Sequence, residues 1–232
     1  MAEAETMTGR RLDLLAAMLP ETDTLADIGT DHAKLLTDCL RAGKIRKGIG
    51  VEVARGPYDR AKANVEARGY AEAIEIRLGD GLQPLAPGEA TACAIAGMGG
   101  KTITDILDGC PETTAAFAYL LLQPMQGERE VRTYLQGQGW RIVNEALTEE
   151  RRIIYPVLLA EKGAMAVLSP EEAEFGPLLL KERPPLLDKL IRQKIEGLAL
   201  VIAQLDKAKS AEDRDKQERL AEQAGAWEKL LS

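Results

Sequence analysis

Four short apolar runs in this chain end in segments that combine glycine with carboxylates or small side chains. The segments are Asp27-Ile28-Gly29-Thr30-Asp31-His32, Glu52-Val53, Gly79-Asp80-Gly81 and Ala96-Gly97-Met98-Gly99-Gly100. Glycine lets the backbone turn tightly and approach a ligand closely. A carboxylate beside it can pair with a positive group or accept hydrogen bonds from hydroxyl and amino groups. The segments therefore indicate a ligand site rich in carboxylates.

The spacing of these segments favours one kind of nucleotide. Glu52 lies 23 residues after Gly29, which suits a carboxylate that accepts two hydrogen bonds from a ribose diol. Asp80 could accept from an adenine amino group, and residues 96–98 leave room for a planar ring. A dinucleotide needs a GxGxxG turn for its pyrophosphate, whereas this chain has Asp31 there. The pattern predicts S-adenosyl-L-methionine, which has a sulfonium and no phosphate, over a nicotinamide cofactor.

Other chemistry is limited by composition. His32 is the only histidine, which rules out most His-based zinc sites. The three cysteines are too widely spaced for a CxxC pair, so we expect buried reduced thiols and no metal. Simpler interpretations of single residues stay open. Asp31 and Asp80 could merely cap helices, and His32 fits a hydrogen-bonded cap better than a catalytic base.

The elements that must position these segments are strands alternating with helices. Apolar runs occupy 24–29, 48–53, 74–78, 92–97 and 119–123, and stretches with helical spacing occupy 32–43, 55–69, 100–108 and 127–138. Two further runs, 140–146 and 153–160, predict an antiparallel hairpin at one edge. The pattern predicts a doubly wound, mostly parallel seven-stranded α/β sheet. Ligands bind such sheets at the carboxyl ends of the strands, where the four segments lie.

A second domain is predicted after a change in composition near residue 165. Ser169, Pro170 and Glu172 fit a helix start with a capping box. Later apolar residues recur at intervals of three and four, at Leu187, Ile191, Ile195, Leu198, Ile202, Leu205 and then Leu220, Ala224, Trp227 and Leu231. We therefore predict an S-adenosyl-L-methionine-binding methyltransferase domain over 1–165 and a helical domain, a hairpin resembling a coiled coil, over 166–232.

The composition gives conflicting indications about whether the partner is a nucleic acid. The chain has 232 residues and a net charge of −7, which argues against a polyanion as partner. However, residues 181–232 contain 11 lysines and arginines against 10 acids, so a local basic surface is possible. With no long apolar run or leader pattern, the sequence predicts a cytoplasmic protein without a membrane contact. It leaves the oligomeric state open, with a monomer favoured.

Taken together, the segments resemble bacterial tRNA (adenine-22-N1)-methyltransferases of the TrmK type. The matching stretches are DIGTDHA from Asp27, GVEV from Gly50, GDGL from Gly79, IAGMGG from Ile95 and LQP from Leu122, with Gly139-Trp140 and Tyr155 in addition. The resemblance implies transfer of a methyl group to N1 of an adenine in the D-arm of tRNA. Two positions depart from the family pattern. Met125 replaces an asparagine close to the predicted target base, and Pro156 replaces an acid.

The resemblance and the strand-end positions together predict the site. Asp31 is the predicted catalytic residue, stabilising positive charge on the methylated ring. The predicted cofactor-binding residues are Asp27, Gly29, Thr30, Asp31, His32, Glu52, Val53, Asp80, Gly81, Ala96, Gly97 and Met98. The predicted substrate-binding residues are Gly99, Gly100, Gln123, Pro124, Lys189, Arg192 and Lys194, with Lys207, Lys209 and Arg214 as further candidate phosphate contacts.

Other interpretations remain. The acidic net charge and Met125 would suit a methyltransferase acting on a protein or a small molecule. The domain could also be a non-catalytic interaction module, and the charges on the helical hairpin could be a solvated face rather than a tRNA contact.

Overall fold

The computed structural model describes residues 10–205 and 211–231. Its elements are α1 (Arg10–Met18), β1 (Thr24–Ile28), α2 (Lys34–Arg41), β2 (Lys47–Glu52), α3 (Arg55–Ala67), β3 (Ile74–Leu78), β4 (Ala92–Gly99), α4 (Gly100–Gly109), α5 (Pro111–Ala116), β5 (Tyr119–Gln126), α6 (Glu128–Gly137), β6 (Trp140–Glu150), β7 (Ile153–Lys162), α7 (Pro170–Phe175), α8 (Pro177–Glu182), α9 (Leu187–Leu205) and α10 (Ala211–Glu228). A short 3-10 turn, Lys229–Leu231, follows.

Seven strands form one sheet in the order β3-β2-β1-β4-β5-β7-β6. The first five strands are parallel, and β7 pairs antiparallel with both β5 and β6. The order reverses between β1 and β4, which is where a doubly wound sheet opens a crevice for a ligand. The predicted fold class and the closing hairpin are confirmed.

The sheet is covered on both faces, as its continuous apolar strands require. One buried cluster includes Ile28 and Ile95, and the other includes Leu25 and Leu121. Because successive residues of a strand point to opposite faces, these neighbouring strands contribute to both clusters. The central strands are thus fixed by packing on each side, which holds their carboxyl ends in place.

The glycine-rich segment at the end of the fourth apolar run forms the bulged end of β4. Its register with β5 shifts on either side of Met98, and Gly97 adopts a left-handed backbone with φ 76°. A bulge inserts an extra residue and bends the strand, which glycine permits at positive φ. Helix α4 then begins directly at Gly100.

The C-terminal helices begin as predicted and are joined firmly to the sheet. Ser169 and Glu172 form the expected capping box. The helix then breaks at Gly176, and α8 precedes the longer pair α9 and α10. Phe175 and Trp227 meet edge to face at 5.0 Å within a cluster that also contains Ile154 of β7. The 165/166 boundary stays a prediction, since this cluster crosses it.

Within the described ranges, no helix combines the length and apolar character needed to cross a membrane. In the same residues, no cluster of three or more His, Cys, Asp or Glu side chains is arranged to hold a metal ion. Lys207 and Lys209 lie outside the described residues.

Candidate active site

The turn after β1 brings the backbone unusually close to the end of β4. Gly29 has φ 74°, and its N–H donates to the carbonyl of Val51 at 2.9 Å. A Cβ at this position would lie 2.5 Å from the terminal methyl of Met98. Only glycine fits here without a shift of the Met98 side chain, so the turn and the end of β4 can pack closely together.

Two buried carboxylates lie under this turn. Asp27 accepts a hydrogen bond from the Thr30 hydroxyl at 2.7 Å. Burial, with a contribution from the nearby Glu52, raises the pKa of Asp27 to about 6, and the Thr30 hydrogen bond opposes that rise. Burial also raises the pKa of Glu52, which accepts a hydrogen bond from the Asp31 N–H. A cation bound nearby would favour the charged form of both groups.

Asp31 lies at the rim of the same turn with a left-handed backbone, φ 48°. Its carboxylate is largely exposed and lies 3.8 Å from His32 Nε2 and 3.7 Å from the Arg60 guanidinium. The N-cap of α2 is Ala33, which makes no side-chain capping bond. The interpretation of Asp31 or His32 as a cap of this helix is therefore wrong, and the Asp31 carboxylate faces the site opening.

A cavity of about 320 Å³ joins this turn to the end of β4. It is lined by Arg11, Leu12, Asp27, Gly29, Thr30, Asp31, His32, Lys34, Leu35, Ala96 and Gly97. The structure thus brings seven of the predicted cofactor residues together here. Carboxylates at its floor and rim suit a positively charged ligand and repel a phosphate.

A second cavity of about 320 Å³ contains the other predicted carboxylate, Asp80, together with Gly81. It lies between the turn after β3 and helix α4. Val53 and Leu78, at the ends of the adjacent strands β2 and β3, are 69% and 46% exposed. Exposed apolar side chains at strand ends can pack against a flat base, and a carboxylate such as Asp80 can accept a hydrogen bond from the amino group of that base.

The predicted substrate residues near the cavity position or pack against the bulged end of β4 and the start of α4. The buried Gln123 accepts a hydrogen bond from the Gly97 N–H at 3.1 Å, so it holds the bulged end of β4. Gly100 packs against the backbone of Gly127, where a Cβ would overlap the carbonyl. Gly99 precedes α4 as its N-cap, and Pro124 pairs with Met98 across the bulge.

Sequence reasoning missed a cluster formed by Arg11, Tyr155 and Met125. The Arg11 guanidinium lies 5.4 Å from the centre of the Tyr155 ring and donates to Met125 Sδ at 3.0 Å. The Arg11 N–H donates to Glu150 at 2.8 Å. In the sequence, Arg11 reads as a surface charge of an amphipathic helix. Its role as a cavity residue depends on how α1 packs against the β6–β7 hairpin.

Of the predicted phosphate contacts on α9, the two lysines form ion pairs with carboxylates of this protein, and the arginine is exposed to solvent. Lys189 pairs with Glu149 at 2.6 Å. Lys194 pairs with Glu128 at 3.0 Å and with Glu174; although burial opposes its charge, the two carboxylates raise the pKa of Lys194. These lysines tie α9 to β6, α6 and α7. Arg192 is exposed.

The sheet order, the reversal at β1 and β4 and the carboxylate-lined crevice define a Rossmann-like methyltransferase. Residues 25–228 match the family described as TrmK, tRNA (adenine(22)-N(1))-methyltransferase. A Bacillus subtilis tRNA (adenine(22)-N(1))-methyltransferase is 32% identical over 231 residues, covering 97% of this chain and 96% of that protein.

Solved structures agree with this match. The crystal structure of the B. subtilis M1A22 tRNA methyltransferase TrmK superposes with a TM-score of 0.88 at 30% identity, covering 96% of this chain and 98% of that one. A Streptococcus pneumoniae protein solved in complex with S-adenosyl-L-methionine superposes with a TM-score of 0.88 at 33% identity, covering 97% and 100%. This chain belongs to the tRNA (adenine(22)-N(1))-methyltransferase family and is an enzyme. The resemblance in the sequence is confirmed.

Proposed function

We propose that this enzyme transfers the methyl group of S-adenosylmethionine to N1 of adenine 22 in the D-arm of tRNA, in the cytoplasm. The observation that supports it best is the crevice at β1 and β4, where Asp27, Asp31 and Glu52 surround a glycine turn. Three carboxylates suit a sulfonium and an ammonium group, and they disfavour a diphosphate. Membership of the family makes tRNA the expected substrate.

The residues of both cavities, together with Glu52, Val53 and Leu78 at the neighbouring strand ends, fit this cofactor. Glu52 would hold the ribose hydroxyls, and Asp80 would accept from the adenine amino group with Val53 and Leu78 against the ring. Asp27 and Asp31 would lie at the positively charged part. When bound, S-adenosylmethionine supplies a methyl group on a positively charged sulfur. The absence of a Cβ at Gly29 lets this turn and Met98 of β4 lie close together beside the site.

Methylation at N1 requires mainly that the protein align this nitrogen with the methyl group of the cofactor, because N1 already has an in-plane lone pair. Good alignment can lower a barrier by about 7 to 11 kcal/mol. The bulged segment of Gly97, Met98 and Gly99 presents backbone groups beside the cavity, and Gln123 fixes that segment. The target base must leave its stack to reach it. Asp31 then stabilises the positive charge that develops on the ring.

Methylation mapping tests the proposed function directly. Unmodified tRNA is incubated with the protein and S-adenosylmethionine, and the modified position is mapped. A single 1-methyladenine at position 22 is expected. The acidic net charge and Met125 favour a protein or small-molecule substrate as the second candidate. Label transferred to cell protein, with none in tRNA, would establish that candidate instead.

Asp31→Ala is expected to slow single-turnover methyl transfer by about 100-fold to 1000-fold, because an electrostatic partner of the cationic ring is lost. Asp31→Asn should be nearly as slow, since it keeps the shape and removes the charge. Asp59→Ala, which removes an exposed carboxylate paired with Arg55 on α3, is the matched control. Rates of Asp31→Ala close to those of the control would remove Asp31 from this role.

Arg11 is expected to bind the carboxylate of the cofactor's methionine part. It lines the cavity beside Gly29, and a guanidinium can bind a carboxylate through two parallel hydrogen bonds. The wild type should therefore bind S-adenosylmethionine about tenfold to a hundredfold more tightly than decarboxylated S-adenosylmethionine, as measured by calorimetry.

The same pair of ligands supplies the control. Arg11→Met should bind both compounds equally, with its affinity for the decarboxylated one unchanged, which also shows that the site is intact. If the variant still discriminates fully but loses tRNA methylation, Arg11 acts on the target base beside Met125 instead.

A further inference from the structure

The turn between β6 and β7 consists of two exposed arginines in an unfavourable backbone conformation. Arg151 and Arg152 have φ 51° and 69°, and the flanking Glu150 and Ile153 pair across the strands. A two-residue turn with both central residues left-handed favours asparagine and glycine, because a Cβ is strained there. Backbone strain of this kind clusters at active sites and ligand-binding segments, so the turn is a candidate for a role in binding.

This turn lies at the same end of the sheet as the crevice, next to the carboxyl ends of the parallel strands. Glu150, directly before it, accepts the hydrogen bond from the Arg11 N–H, and Arg11 lines the carboxylate-rich cavity. Tyr155, three residues after Arg152 along the chain, lies under the Arg11 guanidinium. At about 3.3 Å per residue, the turn extends roughly 10 Å beyond Tyr155. It therefore projects past the mouth of the site.

Helix α9 holds the turn from the other side. Gln193 donates to the Arg152 carbonyl at 3.0 Å, and Lys189 pairs with Glu149 one residue before Glu150. Arg192 is adjacent to Gln193 and one helical turn from Lys189, so it lies near the same side of α9 and is exposed. We name Arg151, Arg152 and Arg192 the turn–helix surface.

The three guanidinium groups of this surface are available to a ligand. Among residues 10–205 and 211–231, none of them has a carboxylate within ion-pair distance. Of the acids beside the turn, Glu149 binds Lys189 and Glu150 accepts a hydrogen bond from the Arg11 N–H. Asp188, four residues before Arg192, pairs with Arg183. By contrast, Arg41, Arg46, Arg55, Arg77, Arg132, Arg141 and Arg183 all have carboxylate partners. An available arginine cluster in a chain of net charge −7 points to an anionic partner.

We propose that the turn–helix surface binds phosphates of the tRNA backbone and orients the D-arm over the crevice. This inference rests on the proposed function, because it takes tRNA as the substrate. Phosphate contacts set position without reading sequence, which suits a surface next to the site rather than in it. It also separates the roles of α9: Lys189 and Lys194 join the domains, and Arg192 faces the substrate.

The first test is the salt dependence of tRNA affinity. In the triple variant Arg151→Gln/Arg152→Gln/Arg192→Gln, each lost phosphate contact should reduce the slope of log K against log salt by about 0.7 to 0.9, or about 2 to 3 in total. Affinity at low salt should fall at least about tenfold. The corresponding triple lysine variant should keep most of the slope.

The matched control removes three positive charges from the opposite end of the sheet, where the parallel strands begin. Arg41, Arg46 and Arg68 lie at or beyond the ends of α2 and α3 or directly before β2, at the amino ends of the strands. Their triple glutamine variant should keep the wild-type slope. Equal slopes for wild type and the turn–helix variant, in a preparation that methylates tRNA, would overturn the inference alone. A wild type that does not methylate tRNA would overturn the proposed function instead.

A second variant separates binding from folding. Arg151→Asn/Arg152→Gly supplies the residues that the turn favours, so the melting temperature should rise by about 2 to 4 °C. Its tRNA affinity should nevertheless fall, while affinity for S-adenosylmethionine stays unchanged. A more stable protein with full tRNA affinity would show that the turn arginines do not contact the substrate.

Discussion

Gly29→Ala is expected to lower the affinity for S-adenosylmethionine by about tenfold to a hundredfold. The new Cβ would lie 2.5 Å from the Met98 methyl, at the point where the turn and the bulged end of β4 approach each other. Either Met98 or the turn must move into the space that the cofactor needs. Calorimetric titration with S-adenosylmethionine measures the loss.

Gly69→Ala is the matched control for backbone strain. Gly69 has φ 75°, close to the 74° of Gly29, but nothing lies within 4 Å of its would-be Cβ. It should lose stability by about 1 to 2 kcal/mol while keeping full cofactor affinity. The double variant Gly29→Ala/Met98→Ala distinguishes the cause. Restored affinity would show that the contact with Met98 causes the loss, whereas an equally weak double variant would show that the turn itself has moved. Full affinity of Gly29→Ala alone would contradict the prediction.

Glu145→Ala is expected to destabilise the protein by about 3 to 5 kcal/mol. Arg132 and Glu145 form an ion pair at 2.8 Å with side chains only 1% and 0% exposed. Arg132 also donates to the carbonyls of Ala173 and Glu174, and Glu145 accepts from the Leu178 N–H at 3.0 Å. Removing the carboxylate leaves a buried charge without its counter-ion. Urea unfolding measures the change.

The same hairpin offers a control pair of identical chemistry. Arg141 and Glu161 pair across β6 and β7 with side chains 54% and 27% exposed. Glu161→Ala should cost no more than about 1 kcal/mol, because solvent screens an exposed pair. Similar losses for Glu145→Ala and Glu161→Ala would show that the buried pair does not join the helices to the sheet.

The contacts of Arg132 and Glu145 with the C-terminal helices determine where the chain can be shortened to test whether those helices bind tRNA. A chain shortened before Ser169 would remove the carbonyls that Arg132 binds, so loss of tRNA affinity could follow from damage to the first domain. A chain that ends after Glu182 keeps α7 and α8. The boundary predicted at 165/166 is therefore a less informative place to divide the protein than the link before α9.

Much of the fold, and the grouping of the candidate site residues at the strand ends, could be predicted because the signals are local. Alternating apolar runs and helical stretches give the sheet, and the strand ends carry Gly29, Glu52 and Asp80 within a few residues of each run. The capping box from Ser169 to Glu172 spans four residues. The choice between a sulfonium and a diphosphate follows from Asp31 in a turn that lacks further glycines.

The tertiary structure alone decided which distant residues join the site. Arg11 meets Met125 and Glu150 across separations of 114 and 139 residues, and Gln193 meets Arg152 across 41. These contacts depend on how buried faces pack α1 and α9 against the β6–β7 hairpin, and residue type cannot specify that packing. Whether a lysine or arginine is available to tRNA depends on the carboxylates that lie beside it in the folded protein. The order of residues along the chain does not show which carboxylates these are.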